Sequence, residues 1–318
     1  MTLKTDHEQR ARDIMAAMVD PNELVARFKG LFYGPSGVGK TVLAAAVAHV
    51  ITPPDKKIIY VDTSEGWLVL RNNHPKLFEK ISNVLPFQSL EHLQTLSLMI
   101  KGRAPGFEDV KTIILDEATK MASIDLLRVQ NERNPEAEIP EWKDYNTALQ
   151  RLRRSLDALY STPDLNVILI GHEKDKKNDK GVVIRTYPSF NPEAAKEVKE
   201  SLHLVAFCTA DNKVNPANPT GPPLYERMAQ VMPTGKIDAK TRIDKFSSVK
   251  VSHDEILGNT LDWLQRGGIS VTPAPGLATE EKETALPNVT SLQEMEEVAD
   301  RLNLSDLDEI DTAPAWSE

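Results

Sequence analysis

Short runs of apolar residues recur along the chain, and longer segments with apolar positions every three to four residues lie between them. Runs that are apolar throughout indicate strands buried on both faces, as in a parallel sheet covered by helices on each side. The predicted strands are 27–33, 57–61, 111–115, 166–170, 202–208 and 225–232. The predicted helices are 40–51, 76–81, 90–102 and 144–160. This alternation predicts an α/β fold with one doubly wound, mostly parallel sheet flanked by helices.

The two ends of the chain differ in composition from its centre. An amphipathic pattern at 5–18 predicts a helical segment within residues 1–26. The core is predicted to cover 27–250, and one C-terminal helix is predicted within 251–269. Residues 270–318 are rich in proline, alanine and acidic residues, which is typical of a flexible linker followed by an acidic tail.

Charge is distributed unevenly along the sequence. The chain has 318 residues and a formal net charge of −9. Residues 279–318 hold twelve acidic and two basic residues, a net charge of −10, so residues 1–278 carry +1. A near-neutral body is compatible with nucleic-acid binding. Three interpretations of the acidic tail stay open: a solubilising segment, a docking site for a partner protein, or a competitor of DNA for a basic loop.

Cysteine content and hydropathy indicate the cellular compartment. Cys208 is the only cysteine of the sequence, so no intrachain disulfide can form, which fits a reducing cytosol. The first residues, MTLKTDHEQRARD, contain no apolar segment of the kind found in signal peptides. The longest apolar runs, such as VLAAAVAHVI at 42–51, are too short to span a bilayer. These features predict a cytoplasmic protein with no membrane contact.

The sequence GPSGVGKT follows the first predicted strand and fits the P-loop pattern of Gly, four residues and Gly-Lys-Ser/Thr. Its glycines let backbone N–H groups turn inward around a phosphate, and the next helix points its N-terminus at the anion. Lys40 is expected to reach the β- and γ-phosphates, and Thr41 is expected to bind Mg²⁺. ATP and Mg²⁺ are therefore the predicted cofactors. The predicted nucleotide-binding residues are Gly34, Pro35, Ser36, Gly37, Val38, Gly39, Lys40 and Thr41.

Two further segments supply carboxylates. KTIILDEA places Asp116 directly after an apolar strand, where it is expected to hold Mg²⁺ through water. Glu117 beside it and Glu65, in YVDTSEGW just past the second strand, are both candidates for the carboxylate that aligns a water with the γ-phosphate. The residues alone favour neither of these two glutamates as the catalytic carboxylate.

The order of these segments resembles a known family. The P-loop, VDTSEG, IILDEA, WKDYNTALQRLRRSLDAL, NVILIGHEKD and AKTR together resemble the RecA-like ATPases of bacteriophages, the Sak-type single-strand annealing or recombination proteins, over residues 27–250. The resemblance implies a RecA-like P-loop core, ATP hydrolysis, assembly into a ring or filament, and action on single-stranded DNA. By position Glu65 resembles the catalytic glutamate of that family, whereas the adjacent pair Asp116-Glu117 is similar to the AAA+ pattern, which favours Glu117.

The resemblance also implies roles for three later residues. His172 follows the fourth main strand, where RecA-like proteins place a polar sensor of the γ-phosphate; the alternative is a histidine that is simply paired at a strand end. Lys240 and Arg242, in AKTR, resemble the Lys-x-Arg motif that reaches the nucleotide of a neighbouring subunit. The alternative for these two residues is a solvated basic pair.

Residues 172–190 occupy the position of a RecA-like DNA loop. Tyr187 and Phe190 are candidates for stacking on bases, and interleaved acidic residues leave a plain solvated loop as the alternative. A second candidate DNA loop is 128–143. The predicted DNA-binding residues are Lys174, Lys176, Lys177, Lys180 and Arg185.

The sequence therefore predicts an ATPase that acts on single-stranded DNA in phage recombination, annealing or replication. Two alternatives stay open. One is an AAA+-like motor or helicase loader, which the Asp-Glu pair favours. The other is a regulatory NTPase that binds a protein partner through the acidic tail and never contacts DNA.

Overall fold

The computed structural model describes residues 26–190, 192–213 and 224–268. The helix predicted at 5–18 and the linker and tail predicted at 270–318 lie outside these residues. The strands are β1 Lys29–Tyr33, β2 Lys57–Asp62, β3 Ile81–Pro86, β4 Val110–Asp116, β5 Asn166–Gly171, β6 Glu173–Lys177, β7 Val183–Pro188, β8 Leu204–Lys213, β9 Leu224–Gln230, β10 Lys240–Thr241 and β11 Lys250–Ser252. The helices are α1 Lys40–Ile51, α2 Trp67–Asn73, α3 Pro75–Phe78, α4 Leu90–Lys101, α5 Ala118–Arg133, α6 Trp142–Ser161, α7 Pro192–Ser201 and α8 His253–Gln265.

One large sheet organises the described residues, with strand order β11-β9-β8-β1-β5-β4-β2-β3. The pairs from β8 through β1, β5, β4 and β2 to β3 are all parallel. On the other side of β8, the strands β9 and β11 continue the sheet in antiparallel order, and β10 pairs with the start of β8. The predicted α/β fold with a mostly parallel sheet is confirmed.

Neighbouring residues of the central strands point to opposite faces of the sheet, and both faces are buried. Leu31 and Ile113 belong to the core cluster that also contains apolar residues of α4 and α6. Phe32 and Ile114, one residue further along each strand, belong to the second cluster, which contains residues of α1 and α8. Burial on both faces explains why these strands read as continuous apolar runs rather than as alternating ones.

The first and last helices of the described core lie in the same apolar cluster. Helix α1 is rich in alanine and buries Leu43, Val47 and Ile51. Helix α8 contributes Ile256 and Trp263 to that cluster, so the helix predicted within 251–269 packs on the sheet. By its internal contacts the chain divides into residues 1–272 and 273–318, and the second unit contains no described residues.

Several elements differ from the sequence predictions. The helix predicted at 76–81 is too long, since α3 ends at Phe78 and Ile81 begins β3. Strand β3 lies at the edge of the sheet and is only partly buried, so its apolar pattern is weak. Helices α5 and α7 were not predicted, and the strand predicted at 225–232 is confirmed as β9. No helix within the described ranges is long and apolar enough to cross a bilayer.

Ion pairs join α4, α5 and α6 on one face of the sheet. The Arg151 guanidinium of α6 lies 2.7 Å from Glu132 of α5 and 3.2 Å from Glu91 of α4. Arg128 of α5 bonds the Glu91 carboxylate at 3.1 Å and the Glu132 carboxylate at 3.0 Å. A network in which each arginine bridges two carboxylates holds geometry better than an isolated surface pair.

Beneath this network Asp125 is buried with 1% of its surface exposed. Neither of its carboxylate oxygens has a hydrogen-bond partner among the described residues, and the Arg151 Nη1 atom lies 3.9 Å from Oδ1. Burial raises the pKa of Asp125 to about 6, although the Arg151 charge opposes the rise. A buried carboxylate that lacks hydrogen bonds destabilises the fold.

We expect Asp125→Asn to stabilise the protein near pH 7.5 and to lose this advantage near pH 4. The pKa of Asp125 is about 6 in the fold against 3.8 in the unfolded chain, so between these values the folded state binds an extra proton. The cost of the buried charge is therefore fully present above pH 6 and is relieved as the pH falls. A shift of this size corresponds to about 1–3 kcal/mol. Urea unfolding of the wild type and of Asp125→Asn at pH 7.5 and pH 4 measures the difference in the free energy of unfolding.

The matched control is Asp179→Asn, because Asp179 is exposed in the turn between β6 and β7. This substitution should change the free energy of unfolding by less than about 0.5 kcal/mol. If the Asp125→Asn difference is the same at both pH values, the ionisation of Asp125 is not its cause.

Candidate nucleotide-binding site

The P-loop connects β1 to α1 at the carboxyl edge of the parallel strands. Three of its glycines have positive φ: Gly34 at 146°, Gly37 at 81° and Gly39 at 92°. A Cβ atom at Gly34 would lie 2.3 Å from the carbonyl oxygen of Cys208 in β8, so this position admits no side chain. Glycine is required here for both backbone conformation and close packing.

Lys40 is the first residue of α1, and its side chain turns back into the loop. It is 6% exposed, and its Nζ atom donates hydrogen bonds to the carbonyl oxygens of Gly34 at 2.9 Å and Pro35 at 2.6 Å. Burial lowers the pKa of Lys40, and the Glu117 carboxylate is the strongest influence in the opposite direction. The loop thus closes around one ammonium group that faces a carboxylate.

Asp116 ends β4 and lies beside the start of α1. It is 2% exposed, and its Oδ2 atom accepts hydrogen bonds from the Thr41 hydroxyl at 3.0 Å and from the Tyr60 hydroxyl. Burial raises the pKa of Asp116 to about 6, while both hydroxyl groups oppose the rise. A Cβ atom at Gly66 would lie 2.5 Å from this same oxygen. The structure thus brings together Thr41 and Asp116, the two residues predicted to hold Mg²⁺.

Tyr60 and Asp62 are site residues that the sequence reasoning missed. Tyr60 lies in the apolar run of β2 and reads there as a core aromatic residue. Asp62 accepts the backbone N–H groups of Glu65 at 2.7 Å and Gly66 at 3.1 Å, so it fixes the turn after β2. An aspartate that accepts N–H groups three and four residues ahead is a local signal that could have been recognised.

The donor set fits a hard cation that also binds phosphate. The described residues contain no cluster of three or more His, Cys, Asp or Glu side chains able to hold a metal by themselves. Mg²⁺ does not need such a cluster, because it usually takes one or two protein oxygens together with phosphates and water. The adjacent oxygens of Thr41 and Asp116, next to a glycine loop of the right form, match that requirement.

Glu117 and His172 form a pair at the same edge of the sheet. Strand β5 lies between β1 and β4, so His172, which follows β5, emerges beside Glu117. The His172 Nε2 atom lies 2.5 Å from Oε1 of Glu117, and Glu117 is 8% exposed. The backbone N–H of His172 donates to the Thr119 hydroxyl at 3.1 Å. The two residues are therefore brought together and held from both sides.

Glu65, the other candidate carboxylate, is exposed. It lies in the turn after β2 with a φ of 60°, and its backbone N–H is bound by Asp62. The following residue, Gly66, touches Asp116, so the turn itself borders the site. Of the two glutamates, Glu117 is the one that is buried and oriented by a partner.

Lys240 and Arg242 lie near the amino end of β8, away from the carboxyl edge that carries the P-loop. The Lys240 Nζ atom donates to the carbonyl oxygens of Lys199 at 2.7 Å and Glu200 at 2.8 Å, and Arg242 donates to Glu200 at 3.0 Å. Both cations thus cap the last turn of α7. A role at the nucleotide of a neighbouring subunit stays a prediction.

The first predicted DNA loop is a β-hairpin rather than an irregular loop. Strands β6 and β7 pair with Lys174 opposite Tyr187, Lys176 opposite Arg185, and Asp175 opposite Thr186. Lys177 and Lys180 lie further along the hairpin and are exposed. Stacking by Phe190 is wrong as a prediction, because that ring is 3% exposed and belongs to the core.

Half of the second predicted DNA loop, 128–143, belongs to helices. Its first six residues belong to α5, which continues to Arg133. The Arg133 guanidinium bonds the carboxylates of Asp144 and Glu141, the residues of a capping box at the start of α6. This arginine therefore holds the two helices together instead of facing a ligand.

Comparison with known proteins identifies a family that matches this chain. The AAA_24 family, described as an AAA domain, matches residues 26–243. Over 65 residues, 20% of the chain, the sequence is 43% identical to the chaperone protein ClpB of Corynebacterium glutamicum and 42% identical to the chaperone protein ClpB 1 of Parasynechococcus marenigrum. The match covers only 7% of the length of each of these curated relatives.

We expect Glu117→Gln to lower the turnover of nucleoside triphosphate about 100-fold or more, while nucleotide binding is retained. The amide has almost the shape of the carboxylate but cannot act as a base. Glu65→Gln is the matched comparison and should keep turnover within a few-fold of the wild-type value. Steady-state phosphate release and nucleotide titration measure the two effects. A large loss in Glu65→Gln with little change in Glu117→Gln would reverse the assignment.

Proposed function

The chain belongs to the AAA_24 family of AAA domains and is a nucleotide-binding ATPase; from this premise, we propose that it couples ATP hydrolysis to the binding of single-stranded DNA in recombination, annealing or replication. One observation carries the proposal. The hairpin β6–β7 begins at Glu173, directly after His172, and His172 contacts the buried Glu117 of the P-loop site. A basic surface is therefore connected to the hydrolytic centre within a few residues.

The residues of the site divide the chemistry between them. Lys40 provides the cation for the β- and γ-phosphates, and Thr41 and Asp116 would hold Mg²⁺, which neutralises charge on the phosphates. Glu117 is the buried carboxylate that aligns the attacking water and takes its proton. His172 fixes the orientation of that carboxylate through the 2.5 Å contact with Oε1. This ATP- and Mg²⁺-dependent scheme uses the described side chains without rearranging the fold.

The register of the hairpin separates its charges. Because side chains of a strand alternate between faces, Lys174, Lys176, Arg185 and Tyr187 lie on one face. Asp175 lies on the other face, where its carboxylate accepts a hydrogen bond from Thr186 at 2.6 Å. The acids Glu173 and Asp175 therefore lie on the face opposite Lys174 and Lys176. Separation of charge in this way favours phosphate binding over a plain solvated loop.

The lysines of this hairpin are available to a ligand. None of Lys174, Lys176, Lys177 and Lys180 forms an ion pair with another described residue. Arg185 is instead paired with Asp238 at 2.7 Å, so its part in DNA binding is the weaker one. Tyr187 is the cross-strand partner of Lys174 and offers a ring for stacking on a base.

Assembly and location belong to the same proposal. The resemblance to phage RecA-like proteins supports self-association into a ring or filament, with Lys240 and Arg242 facing a neighbouring nucleotide, and a place in the cytoplasm of a host cell. A second candidate function is an ATPase that acts on a protein partner. The local similarity to the chaperone protein ClpB favours it, and the acidic tail would be the docking segment.

The decisive experiment measures ATP hydrolysis with and without single-stranded DNA. We expect DNA to stimulate hydrolysis by the wild type, and we expect Lys174→Gln/Lys176→Gln to abolish the stimulation while basal hydrolysis is kept. The double variant should also reduce the slope of log affinity against log salt by about 1.4, since each phosphate contact to a single strand contributes about 0.7. Lys40→Ala is the blank for contaminating activity.

The matched control is Lys76→Gln/Lys101→Gln, which removes the same charge from exposed lysines of α3 and α4. In this control, the stimulation of hydrolysis by DNA and the salt dependence of DNA affinity should equal those of the wild type. Hydrolysis that depends on Lys40 but is indifferent to DNA would reject the DNA proposal and favour the ATPase that acts on a protein. Equal loss of stimulation in both double variants would show a general charge effect rather than a hairpin site.

A further inference from the structure

Arg227 lies across the P-loop, although nothing in its sequence context marks it. It belongs to β9 and pairs with Ala210 of β8, beyond the Phe207 that pairs with Tyr33 at the end of β1. The antiparallel pair β8–β9 therefore continues past the carboxyl end of β1, where the P-loop begins. From there the Arg227 side chain reaches back to the loop.

The contact is with Gly39, the last glycine before Lys40. A Cβ atom at Gly39 would lie 2.9 Å from both Cδ and Nε of Arg227 and 3.4 Å from Cζ. The arm of the arginine thus occupies the space that a side chain at position 39 would need. Gly39 is required both by its φ of 92° and by this arginine.

Arg227 carries a charge that no described acid neutralises. Its side chain is exposed, and it forms no ion pair or hydrogen bond with another described residue. The titratable neighbour that its charge affects is His253, at the start of α8, whose pKa is lowered to about 4 first by burial and then by Arg227. At neutral pH that histidine is uncharged, so it neither attracts nor repels an anion at this point.

Gly39 belongs to the part of a P-loop whose backbone N–H groups surround the α- and β-phosphates, whereas the lysine reaches the β- and γ-phosphates. A guanidinium beside these N–H groups offers a fork of donors that matches two phosphate oxygens. We propose that Arg227 is a second cation of the nucleotide site, supplied by the same chain, which binds the α- or β-phosphate common to nucleoside di- and triphosphates.

This position makes Arg227 different in kind from a residue that senses the γ-phosphate. A contact to the α- or β-phosphate is the same in the ground state and in the transition state. Its loss therefore weakens binding and raises KM, but leaves kcat within two- to three-fold. ATP and ADP are affected alike. The site would then hold the diphosphate part of the ligand between Lys40 and Arg227.

The experiment is calorimetric titration of Arg227→Ala and Arg227→Lys with ADP, a non-hydrolysable ATP analogue and adenosine. We expect Arg227→Ala to weaken binding of ADP and the analogue equally, by about 10- to 100-fold, as for hydrogen bonds to charged groups. Arg227→Lys should recover part of the loss, and adenosine binding should not change. Arg154→Ala, which removes an exposed arginine of α6, should bind all three as the wild type does.

Four outcomes would overturn the proposal. They are unchanged affinity in Arg227→Ala, a loss confined to the ATP analogue, an equal loss for adenosine, and a fall in the Tm of the ligand-free variant that accounts for the weaker binding. Lys40→Ala tests separately whether the P-loop is the nucleotide-binding site. If Lys40→Ala also binds ADP normally, the P-loop itself is not where the nucleotide binds.

Discussion

The buried carboxylate of Asp116 is the interaction on which the rest of the site depends. It accepts hydrogen bonds from Thr41 of α1 and Tyr60 of β2, so it ties three elements together at one oxygen. Removing a partner from a buried charge costs several kcal/mol, so separation of these elements would destabilise the protein strongly. The close approach of Gly66 to the same oxygen leaves the carboxylate little freedom to move. The contacts that stabilise the fold therefore also fix the position of the side chains proposed to hold Mg²⁺.

The order of the strands determines what surrounds this carboxylate. Because β5 lies between β1 and β4, the residue after β5 emerges between the P-loop and the Asp116-Glu117 pair. His172 is that residue, and its imidazole meets Glu117. The chain then leaves the sheet at once as the β6–β7 hairpin. His172, which contacts Glu117, directly precedes the basic hairpin in the chain. A change in the contacts of Glu117 can therefore be transmitted to the hairpin over a few residues. This connection follows from the strand order and needs no separate domain.

Local patterns explain how much of this was predictable. The P-loop, Asp116 and the parallel strands were found because each has a short signature in consecutive residues. Tyr60 was missed because a tyrosine in an apolar strand looks the same whether it packs or donates to a carboxylate. The choice between Glu65 and Glu117 required burial, which only the fold supplies.

Properties that depend on pairing between distant segments could not be predicted from the sequence either. Whether the acids near Lys174 cancel its charge depends on strand register, and no count of residues contains that information. Helix α3 was predicted too long because the edge strand β3 is half exposed and lacks a continuous apolar run. Arg227 had no signal at all, since its contact with Gly39 arises only when β8 and β9 extend past the end of β1.

The four cations with a proposed role at a nucleotide lie in two places, and the division bears on assembly. Lys40 and Arg227 lie at the carboxyl edge of β1, and we propose that both bind the nucleotide of their own chain. Lys240 and Arg242 lie near the other end of β8, where they bond carbonyl oxygens of α7 and still keep unused N–H donors. Helix capping orients those donors without consuming them. Nucleotide binding should then be complete in one subunit, whereas any help from Lys240 and Arg242 in hydrolysis requires a second one. Under the proposed assembly, such a separation would let the protein hold ATP before it assembles and hydrolyse it faster afterwards.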